Sequence, residues 1–170
     1  MVVSEDDRLP LRRCFWYNQG MEVEKMTVSK LQEILDENRD KRVVVIGTTG
    51  TGKSTFVEHI KNAKDMDALL YPQLTPEEIA YIEQTPWTPE IGNTMIRLAK
   101  ERIKVMSGAP VFGTVVLDTD LLVLLKINDG LLRERTQKRG IQFEDARNMQ
   151  KQIEEEAQKS GIPTIEFLIE

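Results

Sequence analysis

The sequence predicts an α/β fold of three layers, in which helices cover both faces of a mostly parallel central sheet. Three observations carry that expectation. Val43-Val44-Val45-Ile46 is an unbroken apolar, β-branched run, as a strand buried on both faces requires. Strand-like and helix-like segments then alternate as far as Ile169, the pattern of parallel strands joined by covering helices. The chain has 170 residues, enough to bury the core of one such domain and too few for a large multi-domain motor.

Residues 1–25 show neither helical nor strand period and are read as an N-terminal extension, disordered by composition. The triplet Phe15-Trp16-Tyr17 leaves a second reading open, an aromatic hook that docks on the body or on a neighbour. The domain proper is expected over 26–170. Thr27 or Ser29 can cap a short helix carrying Leu31, Ile34 and Leu35 on one face. After the strand at Val43–Ile46 and a glycine loop, a helix is expected from Ser54 to Lys64, and Asp67 to Pro72 reads as a short second strand. Thr75-Pro76-Glu77-Glu78 and Thr88-Pro89-Glu90 are both helix starts: a hydroxyl cap, proline in the first turn, and acids at the positive end of the dipole. The second of these helices is expected to run toward Gly108. Val111 to Ile127 is apolar apart from Gly113, Thr, Lys and the pair Asp118 and Asp120. Asp129 can cap a helix over 130–138. A last helix from Phe143, with Ala146, Met149, Ile153 and Ala157 inward, ends at Ser160-Gly161-Ile162-Pro163, and Thr164 to Ile169 is a final strand.

Charge and composition narrow the partners. Lys+Arg 23 against Asp+Glu 28 gives a net charge of −5 with no basic block longer than a pair, which argues against a nucleic-acid binder and for a small soluble ligand. No apolar run reaches the roughly 18 residues that span a bilayer, and acids stand where a signal peptide would place its apolar centre, so no membrane association and a cytoplasmic location are expected. The lone Cys14 cannot form an internal disulfide.

Chemistry is concentrated in Gly47-Thr48-Thr49-Gly50-Thr51-Gly52-Lys53-Ser54, a full match to G-x-x-x-x-G-K-[ST] placed directly after a strand pattern and before a helix pattern. Glycines allow the backbone to turn its N–H groups inward around an anion, and the following helix start adds unpaired donors and a positive dipole end. Lys53 is expected to bridge β- and γ-phosphate oxygens and Ser54 to give its hydroxyl to Mg²⁺. Thr55 is expected on the α-phosphate. The GTPase signatures D-x-x-G and N-K-x-D are missing, as is the L-S-G-G-Q element of ABC-type ATPases, which directs attention to the small kinases.

Leu121 to Ile127 feeds Leu131-Leu132-Arg133-Glu134-Arg135-Thr136-Gln137-Lys138-Arg139, a helix pattern with Arg135 and Arg139 four apart on one face. With the glycine loop, this segment makes residues 41–170 resemble the small-molecule and nucleotide P-loop kinases, such as adenylate, shikimate and gluconate kinases. The resemblance implies a three-layer P-loop NTPase fold, ATP and Mg²⁺ as cofactors, and transfer of the γ-phosphoryl group to a small-molecule acceptor. It implies that Arg135 and Arg139, with Lys53, act on the transferring group or the nucleotide, Arg147 being a lesser candidate, and that the adenine lies near the loop after the last strand. It also implies an acceptor pocket over residues 67–102, where Asp67, Trp87 and Arg97 are the candidate substrate contacts. Nucleoside monophosphate, sugar acid, nucleoside and vitamin all stay open as acceptors.

One region departs from that family pattern. A metal-binding aspartate is expected at the end of the third strand, yet Val111–Leu117 and Leu121–Ile127 are separated only by Asp118-Thr119-Asp120, too little for the crossover that parallel neighbours need. Either the first segment is not a regular strand of the sheet or the usual helix after the third strand has been lost. Asp118 is the first candidate for the metal, then Asp120, then Asp67; a purely structural turn at 118–120 is the alternative. A nucleotide-binding or hydrolysing regulator that phosphorylates no acceptor is the second functional expectation.

Overall fold

The computed structural model describes residues 24–170, so Cys14, the aromatic triplet and the expectation of a disordered extension lie outside the described residues. Helix α1 occupies 24–37. It is followed by β1 (Val43–Ile46), α2 (Lys53–His59), β2 (Lys64–Asp65), α3 (Met66–Leu70), a 3-10 turn (Tyr71–Gln73), α4 (Pro76–Ile82), α5 (Pro89–Arg102), β3 (Val111–Gly113), β4 (Leu121–Ile127), α6 (Asp129–Lys138), α7 (Phe143–Ser160) and β5 (Thr164–Ile169). The five strands form one sheet in the order β2-β3-β1-β4-β5, and every pairing is parallel. The α/β expectation therefore holds, with an all-parallel sheet flanked by helices. Among the described residues no helix is long and apolar enough to cross a membrane.

β1 lies in the middle of the sheet, and all four of its side chains are buried. Alternation sends Val44 and Ile46 into one apolar cluster, with Leu70, Ile82, Ile91 and Leu98 of α3, α4 and α5. Val43 and Val45 enter the other, with Leu31 and Leu35 of α1, Phe56 of α2 and Leu132 of α6. Helix α7 contributes to both, through Phe143 and Ala146 at its start and Ile153 and Ala157 further on. Met149, expected to face inward, is instead exposed. Leu31 is fully buried; at about 1.5–3 kcal/mol for burying such a side chain, it and Leu35 hold α1 firmly on the second face.

Several boundaries differ from expectation, each for a local reason. α1 already covers Thr27 and Ser29, so neither is its cap. The segment expected as the second strand is helical: the Asp65 carboxylate accepts from the Ala68 N–H, and Met66 and Leu70 bury one helical turn apart. A short apolar run cannot by itself distinguish the two periods. α5 stops at Arg102 because Ile103 turns extended, and Ile103 and Val105 then bury while Lys104 and Met106 face out. The cap of α6 is Asn128, whose Oδ1 accepts from Leu131 N–H at 2.9 Å, rather than Asp129. The helix start at Thr75 forms as expected, with Thr75 and Glu78 reciprocally bonded at 3.2 and 2.9 Å.

The short link between β3 and β4 is resolved by topology. The two strands are not neighbours: β1 pairs with each of them, so both are parallel members of one sheet and the helix that would join them is absent. Residues 114–120 run non-helically from the C-terminal end of β3 to the N-terminal end of β4. As a helix they would reach only about 10 Å, whereas extended they reach about 23 Å. Val115, Val116 and Leu117 are buried against the β1 face in place of a helix.

Candidate functional site

The glycine loop leaves β1 at the C-terminal end of the sheet's central strand, where ligands of open parallel sheets bind. Gly50 and Gly52 have φ of 88° and 91°, which side-chain-bearing residues adopt only at a cost. Gly47 has no room for a Cβ, which would stand 2.9 Å from Leu125 Cβ and from Thr51 Oγ1. Gly52 caps α2 without a side-chain hydrogen bond, so the first-turn amides of α2 have neither an intrahelical partner nor a capping oxygen.

Thr48 and Thr51, expected to bind the cofactor, are fully buried and turn their hydroxyls inward. Thr48 Oγ1 donates to the Ala146 carbonyl of α7 at 2.6 Å, and Thr51 Oγ1 donates to the Thr48 carbonyl at 2.7 Å. These side chains brace the loop, leaving only backbone groups for a ligand. Thr48→Val is expected to lower stability in urea unfolding by about 1–3 kcal/mol, the cost of breaking a buried hydrogen bond and stranding the Ala146 carbonyl; no change would make the brace unimportant. Ser54 is exposed, while Thr49 and Thr55 are partly so.

Lys53 Nζ donates to the carbonyls of Gly47 and Thr48 at 2.5 and 2.7 Å. Its pKa is lowered to about 8, first by burial and then by the positive charge of Arg139, while Asp67 and Asp65 pull it upward. Asp67 in turn is raised above the usual carboxylate range by its own burial and by Asp65, with Lys53 opposing. Arg139, Asp65 and Asp67 thus all act electrostatically on Lys53, at the end of the sheet where the glycine loop lies. Arg135 Nη1 donates to the Gly50 carbonyl at 3.0 Å across 85 residues of sequence. Burial holds Arg135 below the ordinary arginine value; Glu24 of α1 opposes that shift and Arg139 adds to it. Loop, α2, α3 and α6 therefore converge.

Asp118 does not join them. The Arg42 guanidinium, at the N-terminal start of β1, holds Asp118 at 2.9 Å and Asp120 at 2.8 Å. Thr119 Oγ1 donates to the Arg42 carbonyl at 2.6 Å, and Asp120 Oδ2 accepts from the Arg42 N–H at 2.9 Å. Asp120 sits below the usual carboxylate range because of Arg42, and Arg42 is raised by both carboxylates. Residues 118–120 are thus a latch that fastens the crossover at the end of the sheet away from the loop. Asp118 and Asp120, the first two candidates for the metal, therefore lie away from the glycine loop, because the helix-less crossover carries an acid expected after the third strand to the start of the fourth.

The remaining expected contacts are dispersed. Trp87 is 56% exposed and lays its indole over Gly92, whose Cβ position is 3.3 Å from Trp87 Nε1. Arg97 pairs with Glu101 one turn along at 3.1 Å. Arg102 ties α5 to α4 through Glu78 at 2.9 Å and to the 3-10 turn through the Gln73 carbonyl. Arg147 pairs with Asp129 at 3.5 Å. Asp65 was missed by sequence reasoning; its signal was a carboxylate at a strand end that also caps a helix.

A cavity of about 340 Å³ opens beside the loop, bounded by Gly50–Gly52, Thr55 and Phe56, by Arg135, Lys138 and Arg139, by Ile169 and Glu170, and by Glu24 and Thr27 of α1. Sequence reasoning missed α1 here, since nothing in its period places it near the loop. Among the described residues no three His, Cys, Asp or Glu side chains gather as a metal cage. Magnesium in phosphoryl-transfer sites takes only one or two carboxylates plus phosphate oxygens, so Ser54 with Asp67 or Asp65 suits it chemically. Compared with protein-family models and with curated proteins, the chain matches none.

Proposed function

We propose that the protein is an ATP-dependent phosphotransferase of the P-loop kinase type, moving the γ-phosphoryl group to a small acceptor with Mg²⁺. The observation that carries this reading is that α6 brings Arg135 to the Gly50 carbonyl, 85 residues away in sequence, and puts Arg139 where its charge acts on Lys53 of the same glycine loop. A loop that only holds a phosphate needs its lysine and backbone amides. Two further guanidinium groups beside them suit a reaction in which charge spreads over the equatorial oxygens of the transferring group. The bond from γ-phosphorus to the bridging oxygen breaks and that oxygen keeps the electron pair and leaves as part of ADP, a bond from γ-phosphorus to an acceptor oxygen forms, and the acceptor proton leaves to a nearby carboxylate or to solvent. Asp67, held toward its protonated form, and Asp65 are the carboxylates at hand. Magnesium, held by Ser54 and one of these two, would neutralise phosphate charge.

The test is acceptor-dependent ADP release from labelled ATP and Mg²⁺ against a metabolite set. Release at one slow rate whatever is added would replace transfer with the nucleotide-dependent regulator. In the same assay Asp67→Asn is expected to raise the Mg²⁺ needed for half-maximal rate about tenfold or more, as for loss of a metal-shell carboxylate. Asp118→Asn should leave it unchanged, and the reverse ranking would return the metal to the crossover latch.

A further inference from the structure

We propose that the cavity between α1, the glycine loop and α6 receives the nucleoside end of the nucleotide, and that Glu24 and Thr27 of α1 are its specificity contacts. The inference rests on the phosphotransferase reading and adds to it a wall contributed by the helix that precedes the first strand. At about 340 Å³ the cavity lies at the small end of the roughly 300–1,000 Å³ typical of ligand sites, which suits a base and sugar beside the loop.

Its surfaces divide by chemistry. Phe56 and Ile169, 5% and 2% exposed, form an apolar side. Phe56 Cε2 and Arg135 Nη1 lie 3.9 and 3.7 Å from the position of a Cβ on Gly52, so an aromatic edge and a planar cation both reach the loop backbone. A guanidinium in this place can stack on an aromatic base. On the outer side, Glu24 and Thr27 are three apart on α1 and so share one face. A triphosphate offers only acceptor oxygens and negative charge, which a glutamate repels. Sugar hydroxyls and base amines are donors, which a carboxylate accepts. Glu24 therefore suits the end of the nucleotide away from the phosphates, and buried Leu31 and Leu35 keep the wall in place.

Calorimetric titration with Mg²⁺-ATP and with Mg²⁺-tripolyphosphate separates the two ends of the ligand. The wild-type protein is expected to bind ATP at least about tenfold more tightly than tripolyphosphate. Thr27→Trp, which fills the cavity, should bring ATP to within about threefold of tripolyphosphate, whose own affinity stays within about twofold of wild type. Glu24→Ala should weaken ATP about ten- to a hundredfold and tripolyphosphate not at all, the loss expected of a hydrogen bond to a charged group. ATP affinity untouched by both variants, or both ligands weakened together, would overturn the role of α1 and leave the phosphotransferase reading standing. Failure of Mg²⁺-ATP to bind the wild-type protein would remove both.

Discussion

Lys53→Ala is expected to lower acceptor-dependent turnover by about 10²–10³-fold or more, the loss seen when one preorganised donor is withdrawn from developing charge. The variant should remain folded. Burial holds the Lys53 pKa near 8 against an ordinary 10.5, so the charged amine is a stability cost in the native state. Below pH 8 both folded and unfolded chains carry the proton and the cost is present in full. Between pH 8 and 10.5 the unfolded chain binds more protons than the folded one, so stability rises with pH across that window. Removing the amine at neutral pH relieves a cost of about 3 kcal/mol. The hydrogen bonds to the Gly47 and Thr48 carbonyls are lost with it, at about 1.5–3 kcal/mol for a charged donor, and the two nearly cancel. Urea unfolding midpoints of the two proteins should therefore be close; a large fall would mean that Lys53 is chiefly a structural brace.

The same depressed pKa sets a pH signature for binding. A phosphate is best held by the protonated amine, so at saturating Mg²⁺ ATP affinity should be flat below pH 8 and fall by up to about tenfold per pH unit above it. Lys53→Ala should bind weakly at every pH with no break near 8. An unchanged break in that variant would assign the titration to another group.

The central part of this architecture was legible because its signals are local and redundant. Val43–Ile46 is apolar on both faces, the glycine pattern follows it directly, and Arg135 and Arg139 share a helix face, so strand, loop and arginine helix could each be placed without knowing the others. What could not be read depends on where the chain returns in space. Asp118 looks like an acid at a strand end; only the strand order shows that residues 114–120 cross β1 and deliver it to Arg42 instead. The run from Ala68 to Leu70 suits strand and helix equally, and the deciding interaction is a cap from Asp65, a residue outside that apolar run. Thr48 and Thr51 read as ligand contacts because they occupy a ligand-binding motif, yet their hydroxyls satisfy buried carbonyls, one of them in α7, 98 residues away.

Arg139→Ala and Arg135→Ala are expected to damage different kinetic constants, although the sequence places them as a pair. Arg139 acts on Lys53 electrostatically and caps the end of α6, so in the proposed phosphotransferase its charge would act on the transferring group. Its removal should lower kcat by about 10²–10³-fold and leave the KM for ATP within about threefold, because an interaction made mainly in the transition state affects turnover rather than binding. Arg135 is bonded to the Gly50 carbonyl and borders the cavity, so Arg135→Ala should raise the KM for ATP by about tenfold, with a smaller effect on kcat. Arg139→Lys should recover only part of the rate, since an ammonium keeps the charge and loses the paired donors of the guanidinium. A second readout ties the argument to position. Arg139 is one of the two influences that push the Lys53 pKa down, so Arg139→Ala should move the alkaline break in ATP affinity to higher pH, while Arg135→Ala, absent from the groups that act on Lys53, should leave it in place. If both variants shift the break equally, or neither alters kcat more than KM, the two arginines do not divide the work in this way and α6 is a solvated helix packed against the loop.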